Sequence, residues 1–168
     1  MWMSQLETEL GVRLLIALVL GAMIGLEREY HAHPAGLRTL IMIAMGACLF
    51  TMMGPLLITS ASKLGDPTRI AAQVVTGIGF LGGGAILKTN DRVQGMTTAS
   101  TIWGVAAIGM CVGFGFYALA ILATVLALIA LIGIRPFEEW LFNVLPAPKP
   151  RKLRKARVKS APDIKSGD

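Results

Sequence analysis

The feature that most limits the fold of this chain is an uncharged, glycine-rich run near its middle. Residues Ile70–Leu87 contain no charged side chain and five glycines. A glycine inside a water-exposed helix costs about 1 kcal/mol relative to alanine. In a bilayer it lets helix backbones approach closely, and lipid cannot compete for their hydrogen bonds. We therefore predict a membrane helix with a face of small residues on which other helices pack. The glycines assigned to this packing are Gly77, Gly79, Gly82 and Gly83.

The same run contains a pattern that is also typical of nucleotide-binding proteins. Gly77, Gly79 and Gly82 are spaced as GxGxxG. A dinucleotide fingerprint requires a soluble βαβ unit and an acidic residue about twenty positions further on. That position is Ile102, which lies in another apolar run. The context argues against a nucleotide site, and no organic cofactor is predicted.

Composition and charge distribution indicate a multi-span membrane protein. Of the 168 residues, 54% are hydrophobic and 15% are charged, whereas about 25% are charged in soluble domains. The charges lie in short gaps between apolar runs and near the C-terminus. We predict an all-α, polytopic integral membrane protein, a glycine-rich, close-packed bundle of about five transmembrane helices, each near the ~20 residues that cross the hydrocarbon. The predicted spans are residues 10–26, 37–57, 70–87, 95–114 and 116–134.

Glycine and proline residues indicate how the other spans pack and where one of them bends or ends. Spans one and four each carry a GxxxG motif, which brings helices close together in membranes. Gly54-Pro55 should kink or end span two, because proline removes a backbone donor. The loop at residues 88–94 is predicted to be short and polar. The GxxxG glycines are Gly21, Gly25, Gly109 and Gly113.

The end of the chain is strongly basic. Residues Lys149–Lys165 carry eight lysines and arginines, so the positive-inside rule places the C-terminus in the cytoplasm and, with five spans, the N-terminus outside. We expect residues 136–145 to form an interfacial amphipathic helix. Residues 146–168 are expected to be a disordered cytoplasmic tail that binds anionic lipid or only fixes the topology. Nucleic acid is not a predicted partner, because aromatic residues that stack on bases are absent from the tail.

Charged residues at membrane depth are functional candidates, although ordinary headgroup-level ion pairs are the alternative. Glu27 continues the glycine face of span one and is expected to point into the bundle. It would then need a cationic partner, and Arg38 and Arg92 are the candidates. The charged candidates are Glu27, Arg28, Glu29 and Arg38 on the predicted inner side, and Asp66 and Arg69 on the outer side.

Metal binding and catalysis receive little support from the sequence. Hard cations take oxygen ligands, and the weak candidates for a Mg²⁺ site are Glu27, Glu29, Asp66 and Asp91. These carboxylates are few and are interspersed with arginines. No nucleophile–base arrangement is legible, so an enzyme is not predicted. The hydroxyl cluster at residues 97–101 is expected to bond between helices or to cap span four.

Four motifs, in this order, resemble the MgtC/SapB family of membrane proteins. They are GxxxGLERE at residues 21–29, GLRT at 36–39, DPTRIAAQVVTGIGFLG at 66–82 and GMTTASTIW at 95–103. The similarity covers about Gly11–Arg135 and implies a bacterial inner-membrane protein with about five transmembrane helices. Besides the charged candidates and the glycines, the positions that match the family pattern are Thr39, Thr76, Thr97, Thr98 and Trp103.

The resemblance implies a non-enzymatic role in magnesium or ion homeostasis, or in membrane energetics, with adaptation to low magnesium and an association with virulence. Gly79 and Gly83 of span three form a third GxxxG motif. The three motifs favour contact with a membrane-protein partner or a second copy of the chain. The alternative is a small transporter of Mg²⁺ or another cation that acts as an oligomer, with Glu27 and Asp66 at opposite mouths. Longer family members continue into a soluble C-terminal domain, so we expect the short, membrane-domain form here.

Overall fold

The part of the chain that the structure describes folds into five helices and one short β-hairpin. A computed structural model describes residues 2–61, 66, 68–89, 92–134 and 137. The helices are α1 (Trp2–Tyr30), α2 (Leu37–Ala61), α3 (Thr68–Gly84), α4 (Met96–Gly113) and α5 (Tyr117–Leu128), and a π-helical turn (Ile129–Gly133) extends the last of them. Strands β1 (Leu87–Thr89) and β2 (Arg92–Gln94) pair antiparallel. Residues Met1–Arg135 form one compact unit.

Successive helices run in alternating directions. A Cβ placed on Gly21 of α1 would lie 2.8 Å from Cβ of Ala44 in α2, and one on Gly25 would lie 2.8 Å from Cα of Leu37. Gly82 of α3 likewise lies beside Ala99 of α4. We call the end that carries residues 31–36 and the hairpin the hairpin end. The start of α1 marks the opposite end.

Glycines make the central contacts possible. A Cβ on Gly109 of α4 would overlap the backbone carbonyl of Ala44, and one on Gly113 would lie 2.7 Å from the carbonyl oxygen of Cys48. α2 therefore lies in backbone contact with both α1 and α4, as small residues permit in membrane helices. The deeply buried apolar side chains around these contacts include Ala17, Ile24, Leu40, Cys48, Val105 and Val112.

The structure differs from the predicted segments in three places. Of the two outcomes predicted for Gly54-Pro55, an end is wrong, because α2 continues to Ala61 with Pro55 inside it, as membrane helices tolerate, and a kink stays a prediction. α3 ends at Gly84, so Leu87 lies in β1 and not in the predicted third span. The predicted polar loop contains a hairpin that ends at Gly95, whose φ of +90° favours glycine. A Cβ on Gly95 would also overlap the carbonyl of Ala85.

The helical membrane architecture agrees with the prediction. Among the described residues, three helices are long and apolar enough to cross a bilayer: Gln5–Tyr30, Leu37–Leu56 and Met96–Gly113. The apolar segment Tyr117–Gly133 is shorter, and α3 has 17 residues. Large apolar side chains cover the outside of the bundle, as a lipid environment requires. A count of five crossings stays a prediction. The predicted interfacial helix at residues 136–145 and the tail at 146–168 lie outside the described residues, apart from the exposed Phe137.

Candidate functional site

The fold separates the predicted site residues into three groups. Most of them meet at the hairpin end: Glu27, Arg28, Glu29, Arg38, Thr39, Thr97 and Thr98. Asp66 and Arg69 lie at the opposite end, before and within the first turn of α3. Thr76 is exposed on α3, and Trp103 is 55% exposed on α4. Asp91 lies outside the described residues.

The centre of the hairpin-end cluster is a buried ion pair. Arg28 is 1% exposed and Glu27 is 8% exposed. Among the described residues, Arg28 has the largest side chain that is fully buried. Arg28 Nη2 donates to Glu27 Oε1 at 2.6 Å, and Arg28 Nε donates to Glu27 Oε2. Two parallel bonds of this kind form the strongest geometry for a guanidinium and a carboxylate.

The prediction that Arg38 or Arg92 pairs with Glu27 was wrong. Arg38 and Arg92 are both exposed, and the cation that pairs with Glu27 is its own neighbour, Arg28. Adjacent side chains on a helix diverge by about 100°, so they are not normally expected to meet. Here both side chains are buried, and an unpaired buried charge costs far more than a side-chain rearrangement.

His31 adds a third group to this pair. Its Nδ1 lies 3.1 Å from Glu27 Oε1 and 2.9 Å from the backbone oxygen of Glu27. Its ring also meets that of Tyr30 edge-on, with centroids 5.2 Å apart. The histidine therefore covers the Glu27 carboxylate at the end of α1.

The loop after α1 is held in a fixed turn. The backbone N–H of His33 donates to the oxygen of Arg28 at 3.0 Å, and that of Ala32 donates to the oxygen of Glu29 at 3.0 Å. With Ala32 at a φ of +55°, these bonds form a Schellman motif. The turn brings the chain back so that Glu29 Oε2 accepts the backbone N–H of Leu37 at 3.0 Å.

Gly36 makes room for this last contact. A Cβ at Gly36 would overlap the Glu29 carboxylate. The carboxylate satisfies an otherwise free donor in the first turn of α2 and adds negative charge where the helix dipole favours it. Glu29, a predicted metal candidate, thus serves as a cap that ties the end of α1 to the start of α2.

Loss of this cap should be measurable. We expect Glu29→Ala to lower the free energy of unfolding by about 1 kcal/mol, the usual cost of removing a capping side chain. Thermal unfolding of the purified protein in detergent would measure the change. Glu29→Gln keeps an acceptor oxygen and should lose less. Equal losses for the two variants would contradict the capping role.

The threonines at the start of α4 behave differently from the expectation. Thr101 donates its hydroxyl to the backbone oxygen of Thr97 at 2.8 Å, and Ser100 donates to that of Met96 at 2.9 Å. These are bonds within α4, and its N-cap is Gly95, with no side-chain cap. Thr98 is buried among α2, α3 and α4, whereas Thr97 is exposed.

Arg13 is a structural residue that the candidate set missed. Arg13 Nη1 donates to the carbonyl oxygen of Gly113, at the end of α4, at 2.7 Å. Its Nη2 pairs with Glu9 Oε1 at 2.5 Å. The carbonyls at a helix C-terminus lack partners within the helix, and a cation there is favoured by the dipole. The spacing of Glu9 and Arg13, four residues apart on α1, was the available signal.

The carboxylates do not gather into a metal cage in the part of the chain that the structure describes. No group of three or more histidine, cysteine, aspartate or glutamate side chains comes together there. Glu27 pairs with Arg28, and Glu29 caps α2. Asp66 lies at the other end of the bundle.

α3 presents two different open surfaces. Ala72, Thr76, Gly79 and Gly83 repeat every three or four residues and are all exposed, so they form one stripe, the outer face of α3. Gly77 and Leu81 lie on the opposite side and line a groove beside α2. A Cβ on Gly77, Gly79 or Gly83 would meet nothing within 4 Å. Gly82 alone of the predicted packing glycines of α3 is buried, next to Ala99 of α4.

Comparison with known proteins places this arrangement in a family. The family model described as the MgtC family matches residues 14–140. The chain is 43% identical over 135 residues to Protein MgtC of Salmonella typhimurium, covering 80% of this chain and 56% of that protein. It is 45% identical over 130 residues to the Escherichia coli protein named "Putative magnesium transporter YhiD", covering 75% of this chain and 60% of that protein.

An uncharacterised protein of Synechocystis is 43% identical over 130 residues, with 77% of this chain and 54% of that protein covered. The chain thus spans little more than half the length of these relatives. No solved structure gives a significant match. The family model covers the four motifs and all of the hairpin-end cluster, and on this basis the chain belongs to the MgtC family.

Proposed function

We propose that this chain is a non-enzymatic inner-membrane protein that modulates magnesium or ion homeostasis, and that it acts by docking the outer face of α3 on a membrane helix of a partner. Membership of the MgtC family and the magnesium-related name of the E. coli relative support the magnesium link. The partner is a different membrane protein or a second copy of the chain.

The observation that carries this proposal is the glycine content of the outer face of α3. Gly21 and Gly109 are required inside the bundle, because a Cβ there would strike α2. Gly79 and Gly83 form an equivalent GxxxG pair with open space around them. Glycine is the least favourable non-proline residue in a helix, and its use in membrane helices is close packing. A helix from another chain would supply the missing contact.

The proposed orientation follows from the charges at the two ends. Arg38, Lys88 and Arg92 are exposed at the hairpin end, and the basic C-terminal segment follows the last helix. The positive-inside rule favours the cytoplasm for this end. The start of α1, with Glu7 and Glu9, would then face the periplasm.

Cation transport is the second candidate, and the printed name of the E. coli relative favours it. A pathway would connect the hairpin end, with Glu27, to the opposite end, with Asp66. Since Glu27 is engaged with Arg28, any pathway along these residues would require the pair to open or a second copy to contribute ligands.

The two functions can be separated with one matched pair of variants. Gly79→Leu fills the outer face, and Gly77→Leu adds the same side chain two residues earlier on the groove side. We expect Gly79→Leu to abolish crosslinking from a photoreactive group at Thr76, and to abolish complementation of growth at low Mg²⁺. Gly77→Leu should leave the crosslink intact.

Flux measurements complete the test. Mg²⁺ uptake into proteoliposomes that depends on Glu27 would replace the docking proposal with transport. Full growth at low Mg²⁺ and full crosslinking of the Gly79→Leu variant would also overturn the docking proposal.

A further inference from the structure

A continuous groove separates α2 from α3. Two cavities of about 400 Å³ and 310 Å³ lie along these helices and share Ile43 and Leu81 in their walls. The deeper stretch is lined by Gly46 and Gly77, and a Cβ on either would meet nothing within 4 Å. The groove is therefore wide because both walls carry glycine, and it opens to the lipid side of the bundle.

The groove becomes polar towards the hairpin end, where exposed cations lie close in sequence to its wall. The hydroxyl residues Thr39 and Thr98 line its last part. Arg38 precedes Thr39 in the sequence, and Lys88 and Arg92 stand on the two hairpin strands that follow Ala85 in the groove wall. All three cations are exposed, and none of them forms an ion pair with another described residue.

We propose that this groove binds an anionic phospholipid, with one acyl chain along the α2–α3 wall and its phosphate at Arg38 and at one of the two hairpin cations, Lys88 or Arg92. Lys88 pairs with Val93 and Arg92 with Thr89, so the two hairpin cations project from opposite faces of the hairpin. The site differs from the outer face of α3 and is independent of the proposed docking function. The charge pattern is complementary to such a lipid, since these cations are exposed at the hairpin end and no charged residue lines the groove among the described residues. The lining from Ile43 to Gly77 is uncharged.

The length of the groove also suits one lipid leaflet. Half of a ~30 Å hydrocarbon core is about 15 Å, which corresponds to about ten residues of helix at 1.5 Å per residue. Counted from Gly84 at the mouth, an acyl chain would end near Val74. The first polar side chain below that point is Gln73. The apolar part of the wall thus matches the reach of a single chain.

Native mass spectrometry of the full chain in detergent, with phosphatidylglycerol or phosphatidylcholine added, tests the proposal. Wild type should prefer phosphatidylglycerol. Gly77→Leu fills the groove and should lower phosphatidylglycerol occupancy at least tenfold, whereas Gly79→Leu on the outer face should stay within twofold. The basic C-terminal segment is present in all variants, so its contribution to lipid binding is the same in each comparison.

Cation variants test the headgroup contact separately. Arg38→Gln should reduce the preference for phosphatidylglycerol about fivefold, the value of one charge near a membrane surface. One of Lys88→Gln and Arg92→Gln should have the same effect, and the other should stay close to wild type, because the two side chains leave the hairpin on opposite faces. Arg69→Gln, at the opposite end, is the matched control and should have no effect. Gly46→Leu fills the groove from the α2 side, so the test stands even if Gly77→Leu fails to fold.

Three results would overturn the proposal. Equal retention of both lipids by wild type would remove the charge selectivity. Unchanged binding in Gly77→Leu and Gly46→Leu would exclude the groove. A dimer that Gly77→Leu or Gly46→Leu converts to monomer would identify a second copy of the chain as the occupant.

Discussion

Replacing Arg28 with alanine should be the most destabilising single substitution in the bundle, with a loss of about 3–5 kcal/mol in the free energy of unfolding. The reason is the carboxylate of Glu27, which is 8% exposed and would remain buried without its guanidinium partner. His31 lies 3.1 Å from Glu27 Oε1 and can replace only part of the lost interaction. Thermal or denaturant unfolding in a fixed detergent measures the change.

The control is removal of both charges at once. Glu27→Leu combined with Arg28→Leu leaves no buried charge, and replacing a buried pair with apolar side chains is often neutral or stabilising. We expect the double variant to unfold closer to wild type than Arg28→Ala does. A double variant as unstable as the single one would contradict the ion-pair explanation and point to packing by the arginine side chain.

The second large effect is expected at Gly109, where α4 touches the backbone of α2. Gly109→Leu should cost about 3 kcal/mol, at the upper end of the usual range for overpacking. A Cβ at this position overlaps the carbonyl of Ala44, which belongs to the backbone and cannot rotate away. The two helices would have to separate, and the contacts of Val105 and Val112 with the rest of the core would loosen.

Gly104→Leu is the matched control for this change. It lies on the same helix, and a Cβ there would meet nothing within 4 Å. Both variants gain similar helix propensity, so their difference isolates the clash with α2. Unfolding of both variants under identical conditions would measure it. Equal stability of the two would show that α4 does not press on α2 at Gly109.

The fold class could be predicted because hydrophobic composition and the spacing of apolar residues are read over long stretches of sequence. Runs of apolar residues near the length of a bilayer, separated by charges, specify helices whatever their partners are. The ends of helices and strands were harder to predict from the sequence. Pro55 did not end α2, since the effect of a proline on a helix depends on how its surroundings satisfy the freed backbone groups. The hairpin depends on the contact of Gly95 with Ala85, which precede α4 and follow α3 and are ten residues apart in the sequence.

The motifs contain most of the residues that lie at the hairpin end, but burial decides which contacts those residues make. The motif contains Glu27, Arg28 and Glu29 in sequence, and a straight helix would send these three side chains in different directions. The structure buries the first two together and turns the third to the next helix. The sequence favoured Arg38 or Arg92 as the partner of Glu27. It contains no information about which side chains are buried away from water, so it could not identify Arg28.

By itself the sequence determined that this chain is a helical membrane protein with glycine-rich helices, and it placed the charges at the helix ends. Only the tertiary structure decided which glycines are used inside the bundle. Gly21 and Gly109 contact α2, whereas Gly79 and Gly83 face outward. The physical reason is that all four satisfy the same local rule for close packing, but each helix has several faces. Which face meets a neighbour depends on how the helices assemble, and the faces left open are the ones available to partners and lipids.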